Sequence, residues 1–247
     1  AQPSYVSADS VSYHWPTEAS RFLSSTFAET RSAHLHAGID IRTWGREGYK
    51  VFATRDGVVY RVGTGPSGYG NVIYLKHDDG PFSVYAHLNR FETGLQAFTD
   101  SLRLIDFTTK IDEHIEEQGI RYKKGDVIGY TGSTGVGPPH FHFELRTPDF
   151  KPFNPLLTNL RVEDTLPPVF TQLAIEFLNS ETLHLEGHKI VPVSSLNDSP
   201  VRFGEVRVSG PVGISVNVHD RANRTPNVYA VHQLIMIHEA DTLFHSV

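Results

Sequence analysis

The stretch His140-Phe141-His142-Phe143-Glu144 sets two imidazoles and a carboxylate at every second position. In an extended strand successive side chains alternate faces, so His140, His142 and Glu144 point one way while Phe141, Phe143 and Leu145 point the other. Imidazoles two residues apart are rooted about 7 Å apart, close enough for one to ligate a metal while the other stands beside it. Alone this is a weak signal, because the chain holds 14 histidines and a second His-x-His occurs at His34-Leu35-His36. The stretch His36-Ala37-Gly38-Ile39-Asp40-Ile41 alternates in the same way, with His36, Gly38 and Asp40 on one side and Ile39 and Ile41 on the other. Gly38 leaves room there for a metal or a neighbouring backbone.

Composition restricts what such groups can do. With no cysteine in 247 residues, disulfides and thiolate zinc sites are excluded, and any metal is held by nitrogen and oxygen. The chain is long enough for one large or two ordinary domains with a self-sufficient core. A formal charge of −6 argues against nucleic acid as partner, which calls for a basic patch or stripe. No apolar run approaches the roughly 18 to 20 residues of a membrane span, and no signal peptide is visible. The chain begins Ala1-Gln2, which suits a processed, exported protein and equally a trimmed one.

Residues 1–30 carry little periodicity and read as an approach segment, with Tyr13-His14-Trp15-Pro16 extended. Short strands follow at 51–53, 57–62 and 72–77, and the Asp78-Asp79-Gly80-Pro81 turn leads into a strand from Phe82 to Leu88. Ser83, Tyr85 and His87 share a face of that strand. The loop Gly63-Thr64-Gly65-Pro66-Ser67-Gly68-Tyr69-Gly70 reads as structural, since it lacks the Gly-Lys-Ser/Thr ending of a phosphate cradle and no helix pattern follows. From Glu92 to about Arg121 the apolar residues Phe98, Leu102, Ile105, Ile111 and Ile115 fall at helical spacing, which predicts one or two inserted helices. A strand at 127–130 and the loop 131–139 deliver the chain to His140. Pro152-Phe153-Asn154-Pro155 closes this domain, and Thr165-Leu166-Pro167-Pro168 reads as a linker. Runs at 170–177, 182–185, 213–218 and 233–238 then predict a small immunoglobulin-like β-sandwich over 168–247, whole or truncated, because the chain stops just after a strand-like run. His184 and His188 read as a surface pair rather than a metal pair.

The conjunction is more specific than any of its parts. His-Ala-Gly-Ile-Asp at 36–40, Tyr-Ala-His-Leu at 85–88, Lys-Lys-Gly-Asp-Val-Ile-Gly at 123–129 and Pro-His-Phe-His-Phe-Glu at 139–144 occur in this order. Together they resemble the lysostaphin and LytM family of zinc endopeptidases, which cut peptidoglycan cross-bridges. The resemblance covers about residues 25–156. It implies an antiparallel β metallopeptidase domain over 31–160, Zn2+ held by His36, Asp40 and His142, and His87 and His140 as catalytic histidines, with His34 a neighbour.

The chemistry of the residues agrees. Two neutral imidazoles and one carboxylate leave the fourth tetrahedral position for water, the arrangement of a catalytic zinc site. His87 and His140 can serve as general base or as donor to a tetrahedral oxyanion, and which does which is left open. Glu144 either orients a histidine or is a plain strand carboxylate. Tyr85 either donates to substrate or is a half-buried aromatic. Compact relatives have a short connection where this chain has the 92–121 insertion, which forms either a wall over the groove or a decoration packed away from it.

The resulting expectation is an exported, periplasmic or envelope-associated endopeptidase acting on peptidoglycan peptide stems, with D,D-endopeptidase activity favoured by analogy. The alternative from a different class is a non-catalytic or latent wall-binding protein that activates other hydrolases.

Overall fold

The run Phe82 to Ala86 is buried at all five positions, which a strand shows only where both its faces are covered. It lies inside the larger of two compact units, 1–162 and 163–247, into which the chain divides in a computed structural model describing residues 11–195 and 201–246. The first ten residues of the approach segment and Val247 thus lie outside the described residues.

In the first unit β1 (Leu23–Ser25), β2 (Ile39–Arg42), β3 (Lys50–Phe52), β4 (Gly57–Thr64), β5 (Val72–His77), β6 (Phe82–Ala86) and β7 (Leu88–Phe91) precede α1 (Thr93–Asp106). After it come β8 (Ile111–His114), β9 (Arg121–Tyr122), β10 (Val127–Thr131), β11 (His140–Arg146) and β12 (Pro152–Phe153). Nine strands form one sheet in the order β1-β2-β11-β6-β5-β4-β8, with β12 on β11 and β9 on β4, and β3-β10-β7 form a second. The described pairings are antiparallel.

The alternation read from the sequence sets the two faces of the large sheet. On one, Ile39, Ile41, Tyr85, Phe141 and Phe143 are buried. On the other, Val72, Tyr74, Val84 and Ala86 are covered by Tyr60, Tyr69 and Phe150. The register places Asp40 of β2 opposite His142 of β11, and His142 opposite Ala86 of β6, so three adjacent strands meet on one line. Gly38 is required by the strand beside it, since a Cβ there would stand 2.2 Å from the Phe143 carbonyl oxygen and 2.8 Å from Glu144 Cγ.

The insertion differs from its expected all-helical form. Glu92 caps α1 by accepting hydrogen bonds from the Gly94 and Leu95 amides at 2.9 and 2.6 Å. The helix ends at Phe107, whose φ is 49°. Ile111–His114 then pairs with β4 as a strand, and Ile111 and Ile115 are buried. The backbone edge of β4 needs a partner, and satisfying it outweighs weak helical spacing. β8 lies at the sheet edge opposite β2 and β11, with β4 and β5 between it and β6.

In the second unit β13 (Val169–Leu178), β14 (Leu185–Ser195), β15 (Arg202–Phe203), β16 (Val212–His219), β17 (Leu234–His238) and β18 (Asp241–Ser246) form a four-stranded sheet, β15-β14-β13-β16, and a β17–β18 hairpin. The strand expected at 182–185 begins only at Leu185, because Leu183 turns the chain with φ 57°. His184 is exposed, as a surface residue should be.

One buried group of the first unit makes stability depend on pH. His77, at the end of β5, donates Nδ1–H to the Asp56 carbonyl at 3.0 Å, while its Nε2 is buried with no hydrogen-bond partner. Burial pushes this imidazole down to about 4, against that hydrogen bond. Between that value and the ordinary one near 6.5 the unfolded chain binds the extra proton, so stability is full above about pH 6.5 and falls as the pH drops towards 4. The loss expected is on the order of 3 kcal/mol. Urea unfolding at pH 7.5 and pH 4.5 should show it, with a smaller difference in His77→Gln.

Candidate metal centre

His36, Asp40 and His142, all buried, converge on one point and could hold a metal ion. His36 Nε2, Asp40 Oδ1 and His142 Nδ1 stand 2.9 to 3.1 Å from one another. The hydrogen bonds on the far sides of the rings show why. His36 Nδ1 is 2.6 Å from the Thr26 carbonyl, which can only accept, so Nδ1 carries the proton and Nε2 the lone pair. His142 Nε2 is 2.9 Å from Glu144 Oε1, so its Nδ1 lone pair faces inward. Two lone pairs and a carboxylate oxygen thus point at a common centre, which calls for a cation or a proton between them. Donors at zinc bonding distance around a tetrahedron stand about 3.3 Å apart, so the three fit a zinc ion.

Charge at the centre follows from these contacts. Burial opposes ionisation of Asp40, but the imidazoles of His142 and His36 beside it outweigh that and hold the carboxyl well below the usual range. Burial likewise opposes a charge on His142, yet Asp40 and Glu144 push it up to about 9. Without a cation, a second proton on His142 relieves the convergence. Arg31 adds a contact from outside, with Nη2 at 3.2 Å from Asp40 Oδ2.

Glu144 is buried and faces His142 as strand alternation implies. It accepts from Arg146 Nε at 2.6 Å and from the Tyr69 hydroxyl. Burial and the negative charge of Glu144 push the Tyr69 hydroxyl up, so it stays a donor. Of its two readings, orienting a histidine is the one the contacts support. Arg146 was available from the same period-two pattern as positions 140, 142 and 144. Tyr69 was not, since it sits in a loop with no periodicity.

His87 does not follow the alternation that grouped it with Ser83 and Tyr85. Its φ is 60°, a left-handed conformation costing a non-glycine residue about 1 to 3 kcal/mol. The turn is held by the His87 amide, which donates to the Tyr69 carbonyl at 2.9 Å. Tyr85 consequently stays in the core, its hydroxyl 2.9 Å from the Thr54 amide and 2.7 Å from Ser83 Oγ, and is not placed to donate to substrate. The His87 ring instead lies with its centroid 4.4 Å from that of His140. Both rings donate Nδ1–H to carbonyls of the 131–139 loop: His87 to Thr134 at 2.9 Å and His140 to Pro138 at 2.7 Å. Each therefore keeps a lone pair on Nε2, and that of His140 is 3.7 Å from Asp40 Oδ1. Burial, then the neighbouring His140, pushes His87 down to about 4, so it is neutral at pH 7. His34 is exposed and stays outside the cluster.

Residues 34–97, which include His36, Asp40 and His87, match Peptidase family M23. That match meets the resemblance to the lysostaphin/LytM-like peptidases over the segment that carries three of the five candidate residues. Among curated relatives the chain is 33% identical over 144 residues to the murein hydrolase activator NlpD of Escherichia coli (strain K12), covering 58% of this chain and 30% of that protein. It is also 33% identical over 123 residues to the DD-carboxypeptidase/endopeptidase Mpg of Neisseria meningitidis serogroup B, covering 49% of this chain and 22% of that protein. The chain thus spans under a third of either relative. A zinc-containing peptidase from Vibrio cholerae aligns over 62% of this chain and 40% of its own, at 23% identity and a TM-score of 0.44.

Two outcomes follow from the ring contacts. Zn2+ added to metal-free protein at pH 8, below the value of about 9 for His142, should release about one proton per ion, read by calorimetry in buffers of different ionisation enthalpy. Glu144→Gln should weaken Zn2+ binding about 10- to 100-fold in chelator competition, because the partner that orients His142 is lost.

Proposed function

We propose that this chain is a zinc-dependent endopeptidase hydrolysing peptide cross-links of bacterial peptidoglycan. The observation that carries the reading is the inward convergence of His36 Nε2, Asp40 Oδ1 and His142 Nδ1, with two further histidines presenting Nε2 beside them. Bound there, zinc supplies Lewis acidity and a water acidic enough to act as nucleophile near neutral pH.

The residues of the chain have separate parts. His36, Asp40 and His142 hold the ion, and Glu144 with Arg146 and Tyr69 keeps His142 turned towards it. His87, neutral at pH 7, offers Nε2 as a proton acceptor. His140, whose Nδ1–H is spent on Pro138, offers a second ring nitrogen to the reacting carbonyl. Similarity to a DD-carboxypeptidase/endopeptidase supports D,D-cleavage. We place the protein in the cell envelope, where that substrate lies; similarity to a lipoprotein NlpD/LppB homolog of Pseudomonas aeruginosa supports this. For the second unit we retain the immunoglobulin-like sandwich, supported by its antiparallel four-stranded sheet.

Similarity to a murein hydrolase activator favours a second reading, a non-catalytic or latent protein that turns on other hydrolases. The five-residue set His36, Asp40, His87, His140 and His142 favours catalysis over it. Purified protein should contain about one zinc per chain and release muropeptides from cell wall, with the bond identified by mass spectrometry. His142→Ala should lose at least about 10³-fold of that activity, since the water loses its activating ion. Unchanged release by His142→Ala would overturn the zinc mechanism, and no release by the zinc-loaded wild type would leave the activator reading.

A further inference from the structure

Just beyond Asp40, the chain turns at Thr43-Trp44-Gly45-Arg46, closed by a hydrogen bond of 2.9 Å from the Arg46 amide to the Thr43 carbonyl. Both central residues have positive φ, 58° at Trp44 and 71° at Gly45. Such turns are dominated by Gly, Asn and Asp, and a bulky side chain rarely occupies their first central position. Burial does not explain the tryptophan, because Trp44 is 54% exposed. Its indole is nonetheless braced, by Phe22 edge-on at 5.7 Å and by the Arg42 guanidinium 5.7 Å from its ring centre. Arg42 in turn lies opposite His140 in the β2–β11 register. A strained backbone therefore presents a rigid aromatic ring next to the strand pair that carries the centre.

We propose that Trp44 is a stacking platform for a pyranose ring of the glycan strand, a subsite that rests on the peptidoglycan reading above. Two observations select a sugar. The residues following Trp44, Gly45 to Gly48, are exposed and include Arg46 and Glu47. A single ring within a polar rim is unlike the contiguous apolar patch that a lipid or protein partner covers. It matches a pyranose, which has an apolar C–H face and a rim of hydroxyl and amide groups. The second observation is reach. Four residues of chain place the Cα of Trp44 at most about 14 Å from that of Asp40. A stem peptide cut three or four residues from its sugar spans about 10 to 14 Å, so the sugar falls within the platform's range.

The test uses zinc-loaded full chain and two substrates, disaccharide-bearing cross-linked muropeptides and the same cross-linked peptides stripped of sugar. The wild type should show a KM about 10-fold lower for the sugar-bearing form. Trp44→Asn, whose side chain suits positive φ, should erase that difference, leave kcat on the sugar-free peptide unchanged and keep or raise Tm. An unchanged KM ratio, or a drop in Tm with equal loss on both substrates, would overturn the platform. A separate arm needs no catalysis: an N-acetylglucosamine tetramer should shift tryptophan emission saturably in the wild type. In Trp44→Phe, which leaves Trp15 as the remaining indole, the shift should vanish. If neither substrate is cut but this shift appears, the endopeptidase reading fails and the subsite stands. If both are cut and no shift appears, the subsite fails alone.

Discussion

Three atoms that each carry electron density are held 2.9 to 3.1 Å apart on the buried side of a sheet, and much of the first unit answers to that convergence. Such a cluster repels itself unless a cation or a proton sits within it, so folding to this geometry is also a commitment to bind something positive. The antiparallel register of β2 and β11 brings Asp40 opposite His142, and a slip of one residue would send one of them into the apolar core. Gly38 lets the strands close to that register, since any side chain there would strike the Phe143 carbonyl.

A second ring of contacts turns the convergence into a defined chemical state. The carbonyls of Thr26, Thr134 and Pro138 each take an Nδ1–H, so three histidines face inward through Nε2. His142 is reversed, because Glu144 takes its Nε2–H. One buried carboxylate, neutralised by Arg146 and bonded to Tyr69, thus decides which nitrogen of a candidate ligand is free. Tyr69 acts twice, through its hydroxyl on Glu144 and through its carbonyl on the His87 amide. The glycine-rich loop that carries it is structural in the sense that the sequence implies, and it also sets the geometry of the centre.

Backbone strain appears on both sides of this arrangement. His87 leaves the strand through a left-handed conformation, and that turn separates it from the core-facing Tyr85 and puts it against His140. Trp44 adopts a similar conformation where β2 ends. The first departure moves a side chain out of the place that strand alternation would assign it, and the second sets one in a tight turn. The inserted segment, by contrast, follows ordinary sheet physics: its second half completes the edge of β4, away from β2 and β11.

Much of this was legible in the residues themselves. The absence of cysteine restricts ligands to nitrogen and oxygen, and the period-two pattern separates His140, His142 and Glu144 from Phe141 and Phe143, because the pleat of a strand is a local property of the backbone. The motifs at 36–40, 85–88, 123–129 and 139–144 carried the family resemblance and the five candidate residues. What only tertiary structure decided lies between residues far apart in the chain. His36 meets His142 across 106 positions, Tyr69 meets Glu144 across 75, and His87 meets Thr134 across 47. Ring tautomers, the reversal at His142, the placement of His87 and the strand in the insertion all depend on which carbonyl or carboxylate or strand edge arrives alongside. No local periodicity encodes that arrival, because it is set by strand order and register.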